Sequence, residues 1–154
     1  MQSTDRIFDL EIFILQSGSK FANEERLRDS LPSVGLPVRV TSVHAGTSTH
    51  QLETNCSWFA IFFDDEMIDP ELAQALPTFI KVNIFDALCL WKKSGLNDDF
   101  KFSKTPRVFR NGVRLEMNSF VPKNVASLRF TNVLDGWILD QATVQITGEG
   151  VTSV

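Results

Sequence analysis

The sequence predicts an α/β fold: one compact three-layer domain over residues 1–154, with a mixed, mainly parallel central sheet and a short β-rich C-terminal part. Three observations lead there. Trp58-Phe59-Ala60-Ile61-Phe62-Phe63 is an unbroken apolar run, the pattern of a strand buried on both faces. Strand-like and helix-like segments alternate through the first ninety or so residues, which favours a sheet layered by helices. The apolar run ends in Asp64-Asp65-Glu66, and the carboxyl end of such a strand is where open α/β sheets bind ligands.

The elements follow in order. Phe8 to Leu15 begins with alternation and ends apolar, so it reads as a first strand, and Gln16-Ser17-Gly18-Ser19-Lys20 is turn chemistry. Asn23 to Leu31 reads as a short polar helix with Phe21, Leu27 and Leu31 as its apolar face, stopped by Pro32 and Gly35. Val38 to Val43 is β-branched and alternating, a second strand. After the Trp58 strand, Asp69 to Leu76 reads as helix and Val82 to Trp91 as another buried strand. Lys92 to Asp99 reads as a polar loop whose lysines are solvated, or else face a phosphate. Thr105 to Leu115 reads as two short strands about the Asn111-Gly112 turn, a strong hairpin signal. Ala126 to Phe130 and Val133 to Leu139 are two further short strands, and 141–154 is a tail.

Composition narrows the function classes. Apolar residues make up 43% and charged residues 22%, which suits a globular domain with a core. A net charge of −4 argues against general nucleic-acid binding, although the 15 Lys and Arg leave room for a local patch. No stretch reaches the length of a membrane span, and the N-terminus lacks the shape of a signal peptide. Cys56 and Cys89 share no metal or redox spacing and read as buried free thiols, so a cytoplasmic setting is the default.

Two stretches carry candidate chemistry. Asp64, Asp65 and Glu66 repel one another unless a cation, a proton or solvent screens them, and a divalent metal that also meets phosphate would do so. An acidic strand end that merely starts a helix is the alternative. His44-Ala45-Gly46-Thr47-Ser48-Thr49-His50 is a small-residue loop whose amides and hydroxyls could cradle an anion, or simply a loop.

Taken in order, these landmarks resemble the large inverting family 2 of glycosyltransferases, nucleotide-diphospho-sugar enzymes of the GT-A fold. The likeness spans about residues 8–115. It rests on the opening strand and the helix ending Ser30-Leu31-Pro32-Ser33, the His44 to Thr49 loop, and Phe63-Asp64-Asp65-Glu66 leading into Pro70-Glu71-Leu72. Asp86-Ala87 before Lys92-Lys93, and Pro106-Arg107-Val108-Phe109-Arg110, complete it. The resemblance implies Mn²⁺ or Mg²⁺ on Asp65 with Asp64 and Glu66, bridging the diphosphate of a nucleotide sugar. It implies nucleotide contacts at His44, Gly46, Ser48 and Asp64, and Arg107 or Arg110 near the diphosphate. A general base for the acceptor hydroxyl would come from Asp98, Asp99 or Glu116.

The sequence also departs from that family. His44 stands where the family has an Asp facing base and ribose, and Thr49 or His50 where it has a closing Asp. Phe63 replaces the first motif Asp, the helix after the loop shrinks to Gln51–Asn55, and no His or Glu occurs at Phe120-Val121-Pro122. Two expectations follow: a metal-assisted glycosyltransferase, or a catalytically inactive relative that serves as a binding or assembly module and meets a second copy through its Phe-rich surface. A phosphate-handling enzyme is a third reading, without the Gly-rich Lys-Ser/Thr loop that would carry it.

Overall fold

The computed structural model describes residues 9–31, 36–82, 84–96 and 99–140. Pro32 to Gly35, the base candidate Asp98 and the tail 141–154 fall outside the described residues. Within them the chain runs β1 (Leu10–Leu15), α1 (Glu24–Ser30), β2 (Val38–Ser42), β3 (Trp58–Phe63), β4 (Glu66–Ile68), α2 (Pro70–Val82), β5 (Ala87–Leu96), β6 (Asp99–Arg110) and β7 (Phe130–Asp140). Short 3-10 turns lie at Thr49–Gln51 and Val125–Ser127.

The seven strands form one sheet in the order β2-β1-β3-β6-β5-β7-β4. β1 pairs in parallel with β2 and β3, and β5 with β7. β3 with β6, β5 with β6, and β4 with β7 are antiparallel. β3 stands third and β4 last, yet only Asp64 and Asp65 separate them in the chain. The sheet therefore curls until its last strand returns beside β3, making a half-barrel.

Alternation along β1 divides the core. Leu10, Ile12 and Ile14 face the helices together with Leu27 of α1 and Leu72, Ala73, Leu76 and Ile80 of α2. Phe13 points the other way, into a second cluster with Val43, Phe59, Ile61, Ala87, Phe109 and Leu115. Local chemistry sets the helix starts. The Asn23 side chain accepts from Arg26 N, with Glu24 and Glu25 in the first turn of α1. Asp69 Oδ1 accepts from Leu72 N at 2.9 Å ahead of Pro70, a capped start with proline where its missing N–H costs nothing.

Several expectations are corrected. The domain is not a three-layer α/β sandwich of the GT-A type, because both helices pack on the same core cluster while the opposite face is closed by irregular segments carrying Val43, Leu52, Leu115 and Phe120. An apolar strand buried on both faces does not tell a helix from a loop as its cover. Nor is the sheet mainly parallel, since three neighbouring pairs run each way. Lys92 to Leu96 continues β5 instead of starting a loop, and Val82 ends α2 instead of opening a strand. Asn111-Gly112 is a turn, with Gly112 at φ +102°, but no hairpin follows. β6 already lies between β3 and β5, and Leu115 makes only an isolated bridge to Pro122. Of the two expected C-terminal strands, Val133 to Leu139 lies within β7, whereas Ala126 to Phe130 starts in the Val125–Ser127 3-10 turn and only its last residue belongs to β7.

Asp69 also ties α2 to the sheet. Its N–H donates to Trp137 O, and its Oδ1 accepts from Trp137 N, both at 3.1 Å. This approach requires Gly136, whose φ is +86° and where a Cβ would lie 2.1 Å from Leu72 N and 2.5 Å from Leu72 Cα. Gly136→Ala is expected to cost at least about 3 kcal/mol, read as a lower urea midpoint at unchanged slope. A loss below about 1 kcal/mol would show that helix and strand separate freely.

Candidate functional site

The acidic strand end leads to two different places. Glu66 opens β4, fully buried inside the curled sheet. Its Oε1 and Oε2 each accept from the Arg107 guanidinium at 2.9 Å, Lys92 Nζ pairs with Oε2, and Phe63 N–H donates to Oε1 at 2.8 Å. Arg107 reaches inward because β6 carries one extra residue there: Leu88 faces Val108 and Cys89 faces Pro106, leaving Arg107 unopposed. Such a bulge re-aims a side chain, and Pro106 beside it has no N–H to lose from the ladder. Arg107 Nη1 also donates to Ile61 O, and the guanidinium lies 4.6 Å from the Phe120 ring centroid and 5.5 Å from that of Phe63. Its Nε is buried without a hydrogen-bond partner. Burial pushes the Glu66 carboxyl up, but the charge and hydrogen bonds of Arg107, followed by those of Lys92, outweigh this and hold it at about 2.

Asp64 stays with the turn. Its Oδ1 accepts from Ser17 N at 3.0 Å and Ser17 Oγ at 2.6 Å, and its carbonyl accepts from Asn23 N. Asp64 thereby fastens the loop after β1 to the end of β3. Asp65 makes no side-chain hydrogen bond or ion pair with another residue among the described residues, its carboxylate meeting only its own backbone N–H. Burial and the neighbouring Glu66 charge raise its pKa, against the pull of Lys92. The expected metal trio is thus dispersed: Glu66 points inward to two cations, Asp64 holds a loop, and Asp65 stands apart. No group of three metal-ligating side chains occurs among the described residues.

The second place is a cleft of about 380 Å³ beyond the carboxyl ends of parallel β1, β2 and β3. Its volume lies in the range of small-molecule sites, about 300–1,000 Å³. Gln16, His44, Gly46 and Asn118 supply polar edges, and Phe63 and Phe120 stand edge to face at 5.7 Å. Thr47 N donates to His44 O, closing a turn in which Gly46 has φ +90°, a conformation suited to glycine. Of the expected nucleotide contacts, His44 and Gly46 line this cleft, while Ser48 is buried beneath it. Ser48 Oγ accepts from Asn118 N at 2.7 Å and meets His50 Nδ1 at 2.8 Å, and Thr49 Oγ1 bonds the backbone at Glu116 and Ser119. These two side chains pin the 116–120 segment that forms the far wall.

Arg107 lies behind Phe63 and Phe120 instead of in the cleft. Arg110 is at the other end of the sheet, opposite Trp58 in register, paired with Asp86 and 4.8 Å from the Trp58 ring centroid. A hollow of about 460 Å³ beside it is lined by Asp9, Trp58 and Lys81, remote from the acidic turn by the length of β3. Of the base candidates, Glu116 is exposed on the far-wall segment, and Asp99 begins β6 at the hairpin end of β5 and β6. Sequence reading missed Gln16, Phe63, Asn118 and Phe120 as lining residues. Only Gln16, directly after the first strand, carried a signal. Cys56 is buried and Cys89 half-buried, both free thiols. Compared with protein-family models, curated proteins and solved structures, the chain shows no match.

The Glu66 cluster sets a pH response. Because its folded pKa is depressed, its stabilisation is complete above the unfolded value near 4.5 and is lost as pH falls toward about 2. Asp86, also held at about 2, first by hydrogen bonds from Arg129, adds to the same window. Unfolding free energy is expected to fall by roughly 3 kcal/mol through Glu66 alone between pH 5 and pH 2. Glu66→Gln should remove that share of the slope and cost about 3–5 kcal/mol at pH 7. Glu66→Leu with Arg107→Met should cost less than either single change. Urea titrations across pH check all three, and an unaltered slope in Glu66→Gln would contradict the assignment.

Proposed function

We propose that this chain is a binding domain for a nucleotide-type ligand, held in the cleft beyond β1, β2 and β3, and that it does not act as a metal-assisted transferase. The observation that carries this is the cleft lining. Phe63 and Phe120 offer apolar faces to a planar ring, while Gln16, His44 and Asn118 surround it with hydrogen-bonding edges. The likeness to nucleotide-sugar enzymes supports a nucleoside diphosphate sugar as the ligand class. The dispersal of Asp64 and Glu66 into internal bonds speaks against a metal bridge to the diphosphate.

A metal-assisted glycosyltransferase is the second reading, and Asp65 favours it as the one acid of the triplet whose carboxylate is not hydrogen-bonded or ion-paired to another residue among the described residues. Backbone amide spectra titrated with uridine and guanosine diphosphate sugars, with and without Mn²⁺, separate the two. The expected result is movement of the Gln16, His44, Gly46 and Asn118 signals without metal, retained in Asp65→Ala and weakened about tenfold in His44→Ala. Binding that needs Mn²⁺ and vanishes in Asp65→Ala would establish the transferase reading instead. Unmoved signals with every nucleotide would overturn both.

A further inference from the structure

At one margin of the sheet, β2 (Val38–Ser42) has a strand neighbour on one side only among the described residues, namely β1. The two ends of the ladder fix which of its backbone groups point toward β1. Pro37 O accepts from Leu10 N at 3.4 Å, and Val43 N donates to Ile14 O at 2.9 Å. Backbone groups of successive strand residues turn to opposite sides, so those of Arg39 and Thr41 face β1 as well. The N–H and C=O groups of Val38, Val40 and Ser42 then point outward, off the edge of the sheet. Side chains alternate between its two faces: Val38 and Val40 are half-buried against the helix-side core, while Thr41 Oγ1 donates to Glu11 on the other face at 2.6 Å.

We propose that this edge pairs with the same edge of a second copy of the chain, antiparallel about a two-fold axis through Val40. One axis position uses every outward group. An axis at Val40 sets Val38 against Ser42 of the second copy and Val40 against its own equivalent, in about six backbone hydrogen bonds. An axis at Arg39 would oppose two arginines, and one at Thr41 would set Val38 against His44, beyond the strand. With the axis at Val40, Arg39 lies instead across from Thr41 of the second copy. A flexible peptide could form the same bonds only by losing its chain entropy, whereas a second β2 is already extended. Two-fold pairing is also closed: it uses up the open margin and cannot propagate. The two sheets become one, and the clefts, each beyond the carboxyl end of its own β2, open in opposite directions. The contact shares no residue with the cleft lining and is independent of what the cleft binds.

Sedimentation equilibrium of the full chain between about 5 µM and about 1 mM reads the association. A five-residue edge buries little area, so a weak dimer is expected, with Kd of roughly 20–500 µM. Residue-resolved amide exchange gives the sharper signature in the unaltered protein. Raising the concentration across that Kd should slow Val38, Val40 and Ser42 severalfold, while Arg39 and Thr41, already bonded to β1, keep their rates. Val40→Pro removes the central outward N–H without touching a bond to β1, and should weaken association at least about tenfold. Val40→Thr keeps both the donor and the shape and should dimerise like the parent chain. If Val40→Pro fails to fold, the exchange pattern alone decides. A monomer throughout the concentration range, a folded Val40→Pro that dimerises unchanged, or protection that does not alternate along β2 would overturn the proposal.

Discussion

The curled sheet depends on one buried carboxylate. Glu66 stands where β4 returns beside β3, and it joins four elements that the chain visits at different times: Phe63 N–H of β3, its own β4, Lys92 of β5 and Arg107 of β6. At the seam β3 and β4 exchange no ladder bonds, so a side chain replaces the missing strand partner. Removing one charge from such a cluster strands the others in low dielectric, which makes breaking it costly even where forming it adds little net stability. The bulge at Arg107 is the geometric condition for the cluster, because regular alternation could not send both Arg107 and Val108 toward the interior.

That cluster also shapes the cleft from behind. Arg107 lies against Phe63 and Phe120, the two rings that face the cavity, while Asp64 draws the loop after β1 onto the end of β3. Ser48 and Thr49 hold the 116–120 segment from the other side. Every wall is therefore secured by a polar side chain directed into the protein. The acids and hydroxyls that suggested ligand contact in the sequence serve mainly to position what the ligand would touch.

How far the sequence could be read follows from the range of the interactions. β1, β2, β3, α1 and the start of α2 were legible because apolar runs, the Asn23 and Asp69 caps and Pro70 act within a few residues. The second half of β5 was not. Its inward residue is Lys92, and the partner that makes a lysine acceptable there lies 26 positions away in the chain. The pairing of Arg107 with Glu66, 41 positions apart, was hidden for the same reason. Pro106 inside a strand-like stretch was the one local sign of a bulge. A cleft does lie at the carboxyl ends of parallel strands, where the sequence places a ligand crevice, and His44 and Gly46 line it. Phe120 and Asn118 arrive from a segment with no periodicity, so nothing local marked them.

Curling has a further consequence, for the free edges of the sheet. An exposed strand edge is a template for unwanted pairing between molecules. β4 is only three residues long, and its Ile68 N–H meets Ser30 Oγ of α1 at 3.4 Å, so a helix end covers that side. Among the described residues this leaves β2 as the longer open edge, five residues with Arg39 and Thr41 among them. By turning one margin of the sheet in against its own interior, the fold halves the surface through which it could grow into aggregates. The margin that remains is short and carries a charge.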